Sequence, residues 1–190
     1  MYSLEILERA KNIKALILDS DGVIFTGHVL EGADGPLAKI RSHADGQGVS
    51  LLRSLGIVVC CITGETGVNA SFLESLVKKW NNLPSVISGR WKPVAMFAGA
   101  ERKLKTDIAK TWLATHGLNF GACAAMGDDM TDYEILAEVK LAAAPSQAEE
   151  IIKKRAHFVT ERRGGDGAIR DLANLIFTAQ GTDPANLSLR

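Results

Sequence analysis

The chain has few cysteines, and they are poorly placed for either common use of the residue. There are three in 190 residues: Cys60 and Cys61 are adjacent in one apolar run, and Cys123 lies in another. This spacing provides neither a disulfide framework nor a cysteine-based metal site. An odd number of thiols within predicted strands fits small core residues in a reducing compartment. We therefore expect a cytoplasmic protein.

Net charge and long apolar runs are also absent. The 22 basic and 22 acidic residues cancel, so the chain has no overall field that would attract nucleic acid or an anionic membrane. The apolar run after the charged N-terminal segment is too short for a signal sequence or a membrane span. Internal repeats and low-complexity stretches are missing as well. These absences argue against nucleic-acid and membrane partners.

The sequence does contain enough apolar residues, 46%, to form the core of one domain over residues 1–190. Short apolar runs alternate with helical patterns, which predicts an α/β fold: a parallel sheet within a three-layer α/β/α sandwich. The strands are predicted at residues 15–18, 57–62, 94–97, 122–126, 141–144 and, at an edge, 157–160. A β-hairpin is expected at about residues 26–41, and a C-terminal tail follows about residue 180.

Two helix starts carry capping signals. Asp45 precedes a helix predicted over residues 46–55 and is a candidate N-cap. Ser146 and Glu149 have the spacing of a capping box before the helix that contains Ile152. His116 lies at the end of another predicted helix, where a helix-end role is favoured over metal ligation.

The first predicted strand ends in two carboxylates. Asp19 and Asp21 follow residues 15–18 directly, and Gly22 allows a sharp turn after them. Functional groups of parallel sheets gather at this edge, where two close acids suggest a divalent cation or a shared proton. The alternative is an ordinary strand followed by an Asp-Gly turn. An EF-hand fits less well, since a third oxygen ligand before the glycine and a flanking helix are missing.

Polar residues follow other strands too. Thr63 and Gly64 end the second, a lysine at 103 or 105 opens a helix after the third, and Asp128 and Asp129 end the fourth. Such a set suits phosphoryl transfer. Asp19 would attack phosphorus and Asp21 would act as acid and base. The other roles are phosphate binding by Thr63 and Gly64, Mg²⁺ binding by Asp19 and Asp128, and orientation of the metal shell by Asp129 and Asp132.

These motifs resemble the haloacid dehalogenase-like phosphatases, and more closely their capless 3-deoxy-D-manno-octulosonate 8-phosphate (KDO 8-phosphate) phosphatase branch. The resemblance covers roughly residues 13–180 and rests on residues 19–24, the hairpin, 45–48, 62–64, 126–129 and 164–170. It implies a Rossmannoid sheet, Mg²⁺ dependence and a homotetramer with packed hairpins, in which a neighbour helps to close the site. The residues implied are Asp19 as nucleophile, Asp21 as acid/base and as a metal ligand through its carbonyl, Asp128 as metal ligand, Gly22, Thr63 and Gly64 as substrate-binding, and Lys105, preferred over Lys103, as the phosphate lysine.

Departures from the branch pattern concern residues that read the sugar acid. Phe25-Thr26 replaces Thr-Asp, and Glu65, Ala44 and Asp166 stand where arginine is usual. Loss of these cations argues against an octulosonate substrate. An insertion between Gly64 and Lys105, carrying Trp80 or Trp91, either reshapes the rim of the site or is ordinary loop drift.

Lys39, Arg41 and His43 near the hairpin are candidates to meet a substrate anion, but a solvated role is favoured for them. The same holds for Arg162, Arg163 and Arg170 near the tail, which are nevertheless the best candidates to replace the missing arginines. The leading prediction is a Mg²⁺-dependent phosphatase acting on a small phosphorylated sugar or sugar acid. One alternative is a non-catalytic tetramerisation module like that of sialic acid cytidylyltransferases. Another is a phosphorylated receiver domain, although the order of the motifs disfavours it.

Overall fold

The computed structural model describes residues 2–190, and its centre is a six-stranded parallel sheet. The strands run in the order β5-β4-β1-β6-β7-β8, and all five neighbouring pairs are parallel. Their bounds are β1 Ala15–Leu18, β4 Val58–Ile62, β5 Ala95–Phe97, β6 Cys123–Met126, β7 Leu141–Ala144 and β8 Phe158–Val159. The predicted α/β sandwich is confirmed, including the choice of the second apolar piece before residue 100 as a strand.

Helices cover both faces of the sheet. One face packs against α1 Leu4–Ala10, α2 His43–Ser54, α3 Gly67–Asn81 and α8 Ala168–Ala179; the other packs against α5 Arg102–Thr115, α6 Tyr133–Glu138 and α7 Glu150–Arg155. Alternate residues of β1 enter opposite cores, Leu16 and Leu18 on one side and Ala15 and Ile17 on the other. Among the described residues, no helix is long and apolar enough to cross a membrane.

A β-hairpin stands between the first strand and the first sheet-covering helix after it. It consists of β2 Val29–Gly32 and β3 Gly35–Lys39, which pair with each other and with no other strand of residues 2–190. Its apolar side chains are open to solvent: Leu30 and Leu37 are each 63% exposed and Ile40 is 65% exposed. The predicted hairpin insertion is confirmed, and much of its apolar surface is uncovered.

The interpretation of Asp45 as the cap of α2 is wrong. Ser42 caps this helix by accepting a hydrogen bond from the Ala44 amide at 3.0 Å. Asp45 is buried, and its two oxygens accept from the amides of Gly167 at 2.9 Å and Arg170 at 3.0 Å. This carboxylate therefore caps α8, a helix that starts more than a hundred residues later.

The capping box at Ser146 is also wrong. The helix begins at Glu150, and Glu149 is its N-cap residue. The Ser146 amide donates to the Arg162 carbonyl instead, and the Ala148 amide donates to Pro145, so the chain is still turning there. The free cysteines, in contrast, are all buried in the core as expected.

The insertion is anchored away from the catalytic edge. A short helix, α4 Pro84–Ile87, and the loop after it lead into the amino end of β5. Arg53 holds the segment by donating to the carbonyls of Trp80 at 3.2 Å and Lys92 at 2.9 Å, with its guanidinium over the Trp91 ring. Because the functional edge is at the carboxyl ends of the strands, the insertion does not form the rim of the site in this chain.

Candidate active site

A cavity of about 460 Å³ opens at the carboxyl edge of β1, β4 and β6. Parallel strands bring the ends of these three neighbours together, with Leu18 beside both Cys61 and Met126. The lining includes residues from three of the four predicted strand-end motifs, the lysine being the exception: Asp19, Asp21, Gly22, Gly27, Thr63, Gly64, Glu65, Thr66, Glu101, Asp128, Asp129 and Thr131.

The lysine that reaches this edge is Lys105. Its Nζ lies 2.8 Å from Asp19 Oδ1 and 2.6 Å from Asp132 Oδ1, and the residue is 1% exposed. Lys103, two residues earlier on α5, is exposed to solvent. Burial opposes the charge of Lys105, but the two carboxylates hold its pKa above the usual range.

Three carboxylates, those of Asp19, Asp128 and Asp132, each offer an oxygen within 4.8 Å of the others. Burial, followed by the charge of Asp132, raises the pKa of Asp19 to about 7 despite Lys105. Burial and the neighbouring acids Asp19, Asp132 and Asp129 raise the pKa of Asp128 to about 8. Such crowded oxygens are what a hard divalent cation would neutralise.

Within this cluster, Asp132 is already engaged. Its Oδ1 binds Lys105, and its Oδ2 accepts from the Asp128 amide at 3.1 Å. Asp129 lines the cavity and accepts from the Met130 amide. The chemistry of the set therefore leaves Asp19 and Asp128 as the freest side-chain ligands, with Asp132 orienting both Lys105 and the Asp128 loop.

The backbone around Gly22 approaches other groups too closely for a side chain. Its φ is +77°, and a Cβ there would lie 1.9 Å from Asp128 Oδ2. A Cβ on Gly164 would lie 1.7 Å from the Gly22 carbonyl oxygen, and Gln147 bridges the two loops by donating to that carbonyl at 2.7 Å and accepting from the Gly164 amide at 2.8 Å. The glycines of the first motif and the tail thus permit close contact between two loops. Sequence reasoning missed Gln147.

Thr63 and Gly64 lie across the cavity at the end of β4. The Thr63 hydroxyl oxygen accepts from the Glu65 amide at 3.1 Å, which leaves its own hydrogen free to donate. A Cβ on Gly64 would lie 2.9 Å from the Glu101 side chain. The pair is placed where predicted, opposite Asp128 on the other side of β1.

Asp21 has a partner that sequence reasoning assigned to solvent. Lys39, the last residue of β3, donates to Asp21 Oδ2 at 2.7 Å, and its side chain is 1% exposed. The interpretation of Lys39 as a solvated residue is therefore wrong. Charged residues at the end of a hairpin are usually solvated, so the charge of Lys39 gave no sign that its side chain turns inward. Its position in the segment after the first motif was the only signal of a role near Asp21.

The cations considered as replacements for the missing arginines are placed elsewhere. Arg162 pairs with Asp171 through Nε at 2.8 Å and Nη2 at 2.7 Å, and Arg170 Nε donates to Asn174 at 3.1 Å. Arg163 lines a separate cavity with Thr26, Arg41 and Asp166. Among the described residues that line the main cavity, none is a lysine or an arginine, and Glu65 and Glu101 add to its acids.

Comparison with known proteins agrees with this geometry. A family model described as haloacid dehalogenase-like hydrolase matches residues 60–171. The 3-deoxy-D-manno-octulosonate 8-phosphate phosphatase KdsC of Yersinia pestis is 32% identical over 176 residues, which cover 93% of this chain and 86% of that protein. A crystal structure of that enzyme from Yersinia pestis has a TM-score of 0.82 at 28% identity, covering 100% of this chain and 93% of its own.

A second solved structure shares the fold over nearly the whole chain. The enzyme from Moraxella catarrhalis, solved with magnesium, phosphate and KDO, has a TM-score of 0.81 at 24% identity and covers 95% of this chain and 94% of its own. That likeness is one of fold, while the family match and the Yersinia relative establish kinship. The chain therefore belongs to the haloacid dehalogenase-like hydrolases and is a phosphatase related to KdsC.

Proposed function

We propose that this chain hydrolyses phosphomonoesters through an aspartyl-phosphate on Asp19, with Mg²⁺ as cofactor and a small phosphorylated sugar or sugar acid, KDO 8-phosphate-like, as substrate. The observation that carries the proposal is the buried contact between Lys105 and Asp19 beside Asp128. A lysine ammonium there offsets the electrostatic repulsion between the Asp19 carboxylate and an approaching phosphate group.

The residues that fit the metal are Asp19 and Asp128, together with the backbone carbonyl of Asp21. The mutual repulsion of the side-chain carboxylates and the absence of a side chain at Gly22 support this assignment. When bound, Mg²⁺ supplies charge neutralisation and orientation for the phosphate oxygens. Asp129 and Asp132 support the ligands from outside.

In the first step, an oxygen of Asp19 forms a bond to phosphorus while the bond from phosphorus to the ester oxygen breaks. Asp21 transfers a proton to the departing ester oxygen, so that an alcohol leaves. Thr63 and the Gly64 amide bind phosphate oxygens, and Gly22 provides backbone close to the phosphate. Lys105 stabilises the negative charge next to Asp19.

In the second step, water attacks the phosphorus of the aspartyl-phosphate and gives up a proton to Asp21. The bond between phosphorus and Asp19 breaks, which releases inorganic phosphate and restores the Asp19 carboxylate. The proton that Asp21 donated in the first step is thereby regained, so the cycle balances.

The cavity and the family support the proposed substrate class. A cavity of about 460 Å³ suits a small sugar phosphate rather than a macromolecule. Its rim bears Glu65 and Glu101 and lacks the arginines usual in the branch. We therefore expect neutral or amino sugar phosphates to be hydrolysed better than sugar acids.

The assembly proposed is a homotetramer in which hairpins pack together, in the cytoplasm. The exposed Leu30, Leu37 and Ile40 support an interface at the hairpin. The non-catalytic scaffold is not favoured because Asp19, Asp21, Thr63, Lys105 and Asp128 are all retained. A receiver domain is excluded by the family match.

The test is phosphate release from a panel of neutral, amino and carboxylated sugar phosphates, with and without Mg²⁺. We expect turnover that EDTA abolishes and Mg²⁺ restores, and an Asp19→Asn variant with a rate at least ~10³-fold lower. An Asp19→Asn rate within ~10-fold of the wild-type rate would refute the nucleophile assignment. Absence of release from every compound by the wild type would favour the scaffold instead.

A further inference from the structure

Lys39 occupies a cage at the base of the hairpin. Its Nζ lies 2.7 Å from Asp21 Oδ2 and 3.4 Å from the carbonyl of Asn69, and the ring centroids of Phe25 and Phe72 lie 5.8 Å and 5.7 Å away. Two elements thus hold it besides its own: the loop after β1 and the first turns of α3. Within the described part of the chain, the ammonium has one charged partner, Asp21.

This burial is unusual for its surroundings. The hairpin around Lys39 is open to solvent, as Leu37 and Ile40 are, yet the lysine side chain is 1% exposed. Removing an ammonium from water is costly unless a counter-charge and hydrogen bonds offset the loss. An inward lysine at the end of an exposed strand therefore calls for a reason beyond anchoring the hairpin.

The two oxygens of Asp21 differ in a way that supplies a reason. Oδ2 is held by Lys39, whereas Oδ1 is buried and has no hydrogen-bond partner among residues 2–190. The contact with Lys39 is therefore the hydrogen bond that holds this carboxyl group within the described part of the chain. Lys39 thus fixes the rotation of the carboxyl group.

We propose that Lys39 is a positioning residue for Asp21, through which the hairpin controls proton transfer. The inference rests on the proposed role of Asp21. Lys39 itself exchanges no proton and touches no reacting atom. In the first step the proton passes from the Asp21 carboxyl group to the leaving ester oxygen, and in the second step that group receives the proton of the attacking water.

An aryl phosphate separates these two steps. The p-nitrophenolate group leaves without a proton, so formation of the aspartyl-phosphate from p-nitrophenyl phosphate does not need Asp21, while its hydrolysis does. In Lys39→Met, a side chain of similar length without charge, we expect a p-nitrophenolate burst of undiminished rate followed by steady-state turnover slowed ~10²-fold. Single-turnover cleavage of the best sugar phosphate should fall by a similar factor.

Controls distinguish positioning from stability. Lys39→Arg keeps the donor and should recover part of the steady-state rate, and Lys110→Met, at an exposed lysine on α5, should match the wild type. Loss of the burst in proportion to turnover, with a matching loss in urea stability, would mean that Lys39 only anchors the hairpin. Unchanged rates would also overturn the inference. Both outcomes leave the proposed function intact, whereas that function fails if Asp19→Asn turns over substrate within ~10-fold of the wild-type rate.

Discussion

At the scale of single residues, the site is defined by carboxylates that repel each other unless a cation lies among them. Burial and neighbouring acids raise the pKa of Asp19 to about 7 and that of Asp128 to about 8. In the unfolded chain both groups titrate near 3.8, their ordinary value. The folded, metal-free protein therefore binds more protons than the unfolded chain between about pH 4 and pH 8.

We predict from this that metal-free stability falls as pH rises through that window. A raised carboxyl pKa favours the folded state at low pH, and the advantage is lost as the groups ionise. Mg²⁺ replaces the protons, so its stabilising effect should grow from about pH 5.5 to about pH 8.5. Thermal unfolding with and without Mg²⁺ at each pH measures this stabilisation. Subtracting the two curves removes the contribution of groups away from the metal, such as His157, whose pKa is lowered by burial.

The matched variant is Asp128→Asn. It removes one charge of the repelling set, so its metal-free form should be more stable than the wild type above about pH 8 and should respond little to Mg²⁺. If the stabilisation of the wild type by Mg²⁺ stays constant from about pH 5.5 to about pH 8.5, the assignment of these carboxylates to the metal is wrong.

At the scale of elements, local sequence patterns predicted the strands and the residues at their ends. Strand ends at residues 18, 62 and 126 were foreseeable because buried parallel strands are short apolar runs, and these ends carry Asp19, Thr63 and Asp128. Side chains that bind across the fold were not foreseeable. Lys39 and Gln147 act on Asp21 and Gly22 through contacts that only the tertiary packing creates.

Asp45 is the clearest such case. Its place near a helix start predicted an N-cap, but Ser42 fills that role and Asp45 binds the start of α8. The neighbouring Gly48 has a packing reason as well, because a Cβ there would lie 3.3 Å from the Arg170 Cα. Asp45 and Gly48 therefore join α2 to α8 and support the tail loop behind the site.

We predict that Asp45→Ala lowers the free energy of unfolding by about 1–3 kcal/mol, because the Gly167 and Arg170 amides lose their buried acceptor. Urea denaturation measures the change. Asp107→Ala, at an exposed acid on α5, is the control and should alter stability by no more than about 0.5 kcal/mol. An Asp45→Ala protein as stable as its control would show that α8 finds another cap.

At the scale of the whole molecule, the hairpin is the part whose apolar surface a single chain leaves uncovered. It pairs only with itself among residues 2–190 and presents apolar side chains to water, although the side chain of Lys39 at its base is buried against Asp21. An isolated two-stranded hairpin is marginally stable. Packing of hairpins from several chains would cover these side chains and hold Lys39 in place.

We predict that Leu30→Glu combined with Leu37→Glu shifts the assembly toward monomers, because charges would be buried where apolar side chains meet. Light scattering after size-exclusion chromatography measures the mass. Ile87→Glu, at a residue of α4 that is 74% exposed, is the matched control and should leave the mass unchanged. A wild type that is monomeric at the concentrations used for assay would remove the proposed tetramer.

The close backbone contact between the loops of Gly22 and Gly164 has a consequence for protein synthesis. The loop that begins the site is made early, but its carbonyl is held through Gln147, and the backbone packed against it belongs to residues 164–165. The loop that carries these glycines is in turn tied to α2, because the Gly167 amide donates to Asp45. On the ribosome, the proposed nucleophile Asp19 is made long before this loop, so we expect hydrolysis to begin only after residues 164–167 and α8 have emerged and docked.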